Sequence, residues 1–311
     1  MYDLIIIGAG PAGFTAGIYA IRREMKVLII GSIPGGQIVW ASEIENYPGF
    51  RNIASYELIS KMQDHVKDLG VEIVSDKIIN IKKNKDKTFA LLSNKQEFVS
   101  KTVIIATGLS PRELSVQGEK EFLGKGVTYC ANCDAPFYRD KIVVVVGGGN
   151  AALDAAEILS KIAKKVYLIH RREEFRGFEA LVNEIKNRKN IEIITNSEIS
   201  KIIGNEKVEK INVKNNKLNK ITQINIDGIF IEIGRIAHTE IFSNLIELDN
   251  KKQIKVDEYC KTSVQGIFAA GDVTTIPYKQ ITIACGQATI AALSAYEYLQ
   301  LATVPTIIKS K

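Results

Sequence analysis

Met1-Tyr2-Asp3-Leu4-Ile5-Ile6-Ile7-Gly8-Ala9-Gly10-Pro11-Ala12-Gly13 opens the chain and sets its architecture. Residues 2–7 are a continuous apolar run, the pattern of a central parallel strand covered on both faces. The glycines follow directly, and a helical stretch from about Pro11 to Arg23 leads to a second strand, Lys26–Ile30. Strand, glycine turn, helix and strand in that order make a nucleotide-binding βαβ start. Gly8 permits the tight turn, Gly10 lets the backbone approach a pyrophosphate, and Gly13 lets helix and strand pack closely. The helix N-terminus then offers N–H groups and partial positive charge to phosphate. The second strand ends Ile29-Ile30-Gly31-Ser32, with no acid for a ribose, so the Gly35-Gly36-Gln37 turn is expected to serve.

A second fingerprint, Gly147-Gly148-Gly149-Asn150-Ala151-Ala152, follows the apolar run Lys141–Val146 and opens a helix to about Ile162. The strand after it, Val166–Ile169, ends not in an acid but in His170-Arg171-Arg172, with Arg176 beyond. An acid there accepts from a ribose 2′-hydroxyl, whereas arginines hold a 2′-phosphate. Each charge-assisted bond contributes roughly 1.5–3 kcal/mol, so these residues are expected to select NADPH over NADH, the alternative reading being a solvated basic loop.

Between the fingerprints lies Cys130-Ala131-Asn132-Cys133-Asp134. Two cysteines with two residues between them can open and close a disulfide. A helix N-terminus lowers a thiol pKa from about 8.5 toward about 7, and Asp134 can give or take the proton. Half a zinc site is the rival, needing Cys260, Cys285 or the scattered His65, His170 and His238, which show no ligand spacing. An inert structural bridge is a second rival. Cys260 and Cys285 stand alone in apolar sequence and read as small buried residues. A nicotinamide gives a hydride and a disulfide takes two electrons through thiolate chemistry. A flavin can stand between them, which accounts for the second nucleotide cradle.

The remaining segments fit this frame. An amphipathic helix over 54–69 carries Leu58, Ile59, Met62, Val66 and Leu69 at helical spacing. Short strands are expected at 71–74, 77–83, 88–92 and 97–99, then a separate buried strand ending in the turn Ala106-Thr107-Gly108. A helix is expected at 178–187, short strands over 191–231, and strand, turn and acid at 266–273. A long amphipathic helix, about Gln280–Leu299, follows. Stretches 109–120 and 234–244 read as crossings. The expected organisation is a discontinuous FAD-binding domain, 1–112 plus 245–311, with an NADPH-binding domain, 113–244, inserted and carrying the cysteines. The fold class is α/β, two Rossmann-like three-layer domains. Disulfide and nicotinamide would then share a domain and take turns at the flavin by rotation about the crossings.

The 311 residues, 46% hydrophobic and 24% charged, have ordinary globular composition. No apolar run reaches the roughly 18 residues of a membrane span. The opening has no basic flank or cleavage site, so it reads as a strand rather than a signal peptide, and a cytoplasmic protein is expected. The net charge of +6 is spread over scattered lysines. A nucleic-acid partner would want a clustered basic stripe with aromatics.

Over nearly its whole length the chain resembles the low-molecular-weight, NADPH-dependent thioredoxin reductases, class II of the pyridine nucleotide-disulfide oxidoreductases. The resemblance is carried, in order, by the first fingerprint, Gly35-Gly36-Gln37, Glu45-Asn46-Tyr47-Pro48-Gly49-Phe50, Ala106-Thr107-Gly108, Cys130–Asp134, Gly147–Ala152, His170–Arg176, Gly271-Asp272 and Tyr278-Lys279-Gln280. It implies FAD on Gly8, Gly10, Pro11, Ala12, Gly13, Gly36, Gln37, Asn46, Ala106, Thr107, Gly108, Gly271, Asp272, Lys279, Gln280 and Ile281, with Asp272 on the ribityl chain and Gln280 near the isoalloxazine. NADPH would lie on Gly147, Gly149, Asn150, Ala151, His170, Arg171, Arg172 and Arg176. Cys133 would face the flavin, Cys130 would attack thioredoxin, and Asp134 would be the acid; no metal is implied. A homodimer is also implied. Departures are Ala131-Asn132 within the cysteine motif, Ala135-Pro136-Phe137 after it, the loop Gly234–Thr239, and Lys279 where arginine is usual. Two alternatives are a reductase feeding a peroxiredoxin, expected with an additional N-terminal carrier domain, and a non-catalytic flavin redox sensor.

Overall fold

The computed structural model describes residues 1–40 and 43–303. In chain order it runs β1 (Tyr2–Ile7), α1 (Pro11–Ile21), β2 (Val27–Ile30), α2 (Ser55–Asp68), β3 (Glu72–Val74), β4 (Ile78–Lys83), β5 (Phe89–Ser93) and β6 (Glu97–Ile105). Next come β7 (Val127–Thr128), α3 (Ala131–Asp134), β8 (Ile142–Val146), α4 (Asn150–Ser160), β9 (Lys165–Ile169), α5 (Glu179–Lys186) and β10 (Ile191–Ile194). Then follow β11 (Ser197–Gly204), β12 (Val208–Asn215), β13 (Ile221–Asn225), β14 (Gly228–Ile231), β15 (Ile267–Ala269) and α6 (Ile281–Thr303).

The chain forms two compact units. One comprises Met1–Val39, Glu43–Ser110 and Ile236 onward; the other is built on Pro111–Arg235. Phe242 and Ile246 are buried in a core of the first unit, and the Thr239 hydroxyl donates to Lys252 O at 2.7 Å. At the divide, Arg112 N–H donates to Gly234 O at 2.9 Å within the second unit. Residues 304–311, assigned above to the first domain, lie outside the described residues.

The first unit's sheet has the order β3-β2-β1-β6-β5-β4, with β15 also pairing β6. β1 is parallel to β2 and β6, and β15 is parallel to β6. Leu4, Ile5 and Ile6 are fully buried because helices and loops cover both faces. On one face α1 meets α6, with Phe14, Ala16 and Ala20 against Ala284, Ala288, Ala291, Ala292 and Ala295. The alanines let the two helices approach closely.

One strand differs from expectation. Residues 97–99 and the run after Thr102 are a single strand, β6, rather than two. Ser100 and Thr102, polar residues that look like a break, are fully buried in it. The Ser100 hydroxyl donates to Thr102 O at 2.7 Å and the Thr102 hydroxyl to Asp3 O at 2.6 Å, so burial leaves neither unpaired. The first half of β6 pairs antiparallel with β5 and the second half parallel with β15.

The second unit has a five-stranded sheet, β7-β14-β8-β9-β10, parallel throughout. A separate antiparallel sheet, β11-β12-β13, belongs to the same unit. α4 buries Ala152, Leu153, Ala155, Ala156 and Leu159 against Val143, Val145, Val166, Leu168 and Phe230 of the five-stranded sheet. Among the described residues no helix is long and apolar enough to cross a membrane.

Candidate active site

In the first unit the glycine turn stands at the C-terminal ends of parallel strands, where open α/β sheets bind ligands. Gly8 has φ +123, and a Cβ there would lie 2.2 Å from Ala106 O. A Cβ on Gly13 would lie 1.8 Å from Gly8 O. These two glycines are required by the protein's own packing. Gly10 is different, since a Cβ there would meet nothing nearer than Gly36 Cα at 3.8 Å. The protein's own packing does not require it, and its bareness leaves room for a ligand.

The long-range pairs gather the remaining expected residues. Gly35 N–H donates to Ala9 O at 2.7 Å, which lays the Gly35-Gly36 turn on the fingerprint. Gln37 Nε2 donates to Asp272 Oδ2 at 3.0 Å, and Asn46 Nδ2 to Gln280 Oε1 at 3.3 Å. Gly271 N–H donates to Gln287 Oε1, and Lys279 Nζ donates to Thr274 O at 2.7 Å. α1 starts at Pro11 with Gly10 as its N-cap, and α6 starts at Ile281. Thr107 Oγ1 is buried without a hydrogen-bond partner, an orphan of the kind a bound ligand satisfies. A glycine-lined turn, an orphan hydroxyl and a polar rim fit a flavin dinucleotide.

The second unit repeats the cradle. Gly147 has φ +152, and a Cβ there would lie 2.3 Å from Glu232 O; one on Gly148 would lie 2.2 Å from His170 Cε1. Gly149 has nothing within 4 Å of the Cβ position, which leaves open space at the N-terminus of α4. Asn150 Oδ1 accepts from Phe178 N–H at 2.8 Å, and Arg176 N–H donates to Gly148 O at 2.7 Å. The arginine loop is thereby tied to the fingerprint. His170 stacks on Phe175 with centroids 5.2 Å apart. Burial, and then the charges of Arg172, Arg171 and Arg176, hold its pKa below the usual value. Arg171, Arg172 and Arg176 are exposed, and among the described residues no carboxylate is in ion-pair range of them. The set fits a phosphorylated nicotinamide dinucleotide.

Both cradles yield the same prediction. Gly10→Ala and Gly149→Ala should melt like the unsubstituted protein when stripped of nucleotide. Each should weaken its own nucleotide at least about tenfold, roughly 1.4 kcal/mol. Binding titrations beside thermal melts check this; a lowered melting temperature with unchanged affinity would contradict it.

Cys130 and Cys133 form a disulfide, with Cα atoms 5.3 Å apart. Cys130 is the extended N-cap of α3, and its carbonyl accepts from Cys133 and Asp134 N–H. Thr128 at the end of β7 organises the turn: its hydroxyl donates to Asp134 Oδ2, while Cys130 N–H donates to Thr128 Oγ1 at 3.2 Å. Burial raises the Asp134 carboxyl above its usual range, and the Thr128 bond only partly offsets this. β7, β8 and β14 run parallel side by side, so Cys130, Gly147 and Glu232 follow strand ends at one edge of one sheet.

Glu232 was absent from the residues expected above. Its Oε1 accepts from Ala131 N–H at 3.3 Å. Burial raises its carboxyl to about 7, against the pull of Arg235 and of the Ala131 N–H. The sequence signal was an acid within Gly228-Ile229-Phe230-Ile231-Glu232-Ile233, a charge placed in a buried strand's exit. Because the folded-state pKa exceeds the ordinary 4.5, the folded form holds its proton more tightly. The resulting penalty is absent below about 4.5, grows as pH rises and is complete above about 7, amounting to no more than about 3 kcal/mol. Glu232→Gln should therefore melt higher than the parent at pH 8 and close to it at pH 5. A constant difference across that range would contradict the assignment.

Cys260 is buried, its thiol pushed up to about 11 by burial, while Cys285 is only partly buried. Neither lies in the disulfide, and among the described residues no group of His, Cys, Asp and Glu is arranged to hold a metal ion.

Two dinucleotide cradles and a cysteine disulfide at the edge of one sheet are the working parts of a nucleotide-dependent disulfide oxidoreductase. The chain belongs to the pyridine nucleotide-disulphide oxidoreductase family, whose model matches residues 2–288. It is 39% identical over 300 residues to the 34.2 kDa protein in the rubredoxin operon of Clostridium pasteurianum, covering 96% of this chain and 97% of that one. It is 39% identical over 308 residues to thioredoxin reductase of Peptoclostridium acidaminophilum, covering 96% and 98%. Among solved structures, thioredoxin reductase from Streptococcus pyogenes MGAS5005 superposes with a TM-score of 0.92 at 38% identity, over 97% of this chain and 99% of that one. The fold is α/β with two Rossmann-like units, and the family's cofactors are FAD and NADPH.

Proposed function

We propose that this chain is a thioredoxin-disulfide reductase, taking electrons from NADPH through FAD and the Cys130–Cys133 couple to thioredoxin. The observation that carries the reading is the position of that disulfide. It sits beside the second glycine cradle, on the same sheet edge, with a carboxyl held next to it. When bound, FAD accepts a hydride from NADPH and passes the electron pair to sulfur. The two glycine turns seat the pyrophosphates, and Asp272 and Gln37 brace one another in the first cradle. Arg171, Arg172 and Arg176 select the 2′-phosphate.

Once the pair is reduced, the Cys130 thiolate attacks the thioredoxin disulfide and forms a mixed disulfide. Cys133 then attacks Cys130, which releases the thioredoxin dithiol and restores the Cys130–Cys133 bond. Asp134, its carboxyl raised by burial, supplies the proton that the departing sulfur needs. The division of labour between the cysteines, the residue assignments, the homodimer and the cytoplasmic location all belong to this proposal. The divide between the units, with Pro111–Arg235 as the NADPH domain, belongs to it too.

The test is an anaerobic NADPH titration of the purified protein followed by oxidised thioredoxins. It should be yellow, bleach with NADPH and recover its colour as thioredoxin is reduced. A colourless protein that cannot retain FAD would sink the reading. So would a Cys130–Cys133 bond that stays oxidised under excess NADPH.

A further inference from the structure

Glu232 has no task in the reaction above, yet the fold holds it against the peptide that follows Cys130. Its N–H donates to Val146 O at 2.8 Å, and its carbonyl lies against Gly147, so the β8 and β14 ends fix its backbone. Its carboxylate accepts from Ala131 N–H, the peptide joined directly to Cys130. Asp134 on the same turn spends its carboxylate on the Thr128 hydroxyl instead. Two carboxyls thus reach the Cys130 turn through separate hydrogen bonds.

We propose that Glu232 is a positioning residue for the Cys130–Cys133 couple, holding the Ala131 peptide and exchanging a proton with solvent as the charge on the pair changes. The proposal rests on the redox reading of that pair. Reduction breaks the S–S bond with two electrons and one proton, leaving one thiol and one thiolate. A thiolate formed beside an ionised carboxylate is a like-charge pair, which disfavours both. Proton uptake by Glu232 in the same step removes the repulsion. When an acceptor disulfide reoxidises the pair, the thiolate disappears and Glu232 releases its proton.

Few groups oppose or assist this exchange. Arg235, which donates to Tyr129 O, favours the carboxylate, as does Ala131 N–H. Asp134 is the acid on α3, and the Gly147–Gly149 turn carries no titratable side chain. With its carboxyl near 7, Glu232 populates both protonation states at neutral pH.

The experiment uses the full-length, FAD-loaded protein carrying Cys133→Ser, which leaves Cys130 a lone thiol. Its alkylation by iodoacetamide at pH 7 is followed by mass spectrometry. Adding Glu232→Gln should speed alkylation about three- to tenfold, because a lost negative neighbour lowers the thiol pKa. Glu232→Asp, which keeps the charge, should stay within about twofold of the parent. The glutamine amide oxygen still accepts from Ala131 N–H, so a purely structural role predicts no change. Equal rates for Glu232 and Glu232→Gln, or an equal gain in Glu232→Asp, would overturn the proposal. A second measurement needs no substitution at 232. In protein labelled with ¹³C-glutamate, opening the disulfide with a phosphine at pH 7 should add an infrared band of protonated, labelled carboxyl; its absence overturns the proposal as well. Failure of the redox reading looks different: the phosphine would not open the bond, and Cys130 would be inert in every variant.

Discussion

Cys130→Ser should abolish thioredoxin reduction, by more than about a thousandfold, while NADPH still bleaches the flavin at its usual rate. A serine hydroxyl stays protonated at neutral pH and forms no disulfide, so the chemical step loses its nucleophile. The turn itself should survive. Its bonds at this position are backbone ones, from Cys130 N–H to Thr128 and from Cys133 and Asp134 N–H to Cys130 O. The two half-reactions therefore come apart in one variant. Stopped-flow bleaching measures the first, and steady-state turnover with thioredoxin measures the second. Undiminished turnover would mean that electrons leave by a route that bypasses this pair.

The double replacement Arg171→Ala, Arg172→Ala should raise the KM for NADPH by roughly 10²–10⁴-fold and leave FAD content unchanged. Each charge-assisted bond to a phosphate contributes roughly 1.5–3 kcal/mol, and two are removed. kcat should change little, because the 2′-phosphate is bound alike in the ground and transition states. NADH, which lacks that phosphate, should be used equally well by parent and variant, so the preference between the two donors collapses. The arginines are exposed and free of ion pairs with described carboxylates, so removing them leaves no buried charge unpaired. An unaltered NADPH KM would refute the phosphate assignment.

Much of the architecture was legible from residues close together in the chain. The two glycine turns, the buried strands before them and the helices after them are local patterns. α1, α2, α4 and α5 fall within about two residues of their expected ends, because apolar periodicity and the glycine turns are features of neighbouring residues. The Cys130–Cys133 bond was legible for the same reason, its sulfurs being three residues apart.

What stayed illegible depends on distant segments meeting. Ser100 and Thr102 look like a break until Asp3 O and Thr102 O are seen to accept their hydroxyl protons. Gln37 and Asp272 are 235 residues apart, and Asn46 and Gln280 are 234 apart. Motif resemblance named those four residues; the pairing came from the sheet. Glu232 lies 101 residues from Ala131, and no motif named it.

Chain order alone carried the chemistry's inventory: two nucleotide turns, a vicinal dithiol, an acid after it and arginines where a phosphate would sit. These are short-range features, written in consecutive residues and needing no partner to be recognised. Folding added the proximities. Setting β7, β8 and β14 side by side brought Glu232 to the dithiol's first peptide and took water from its carboxyl. A carboxyl's proton affinity follows its surroundings, and those exist only once strands from different parts of the chain have packed.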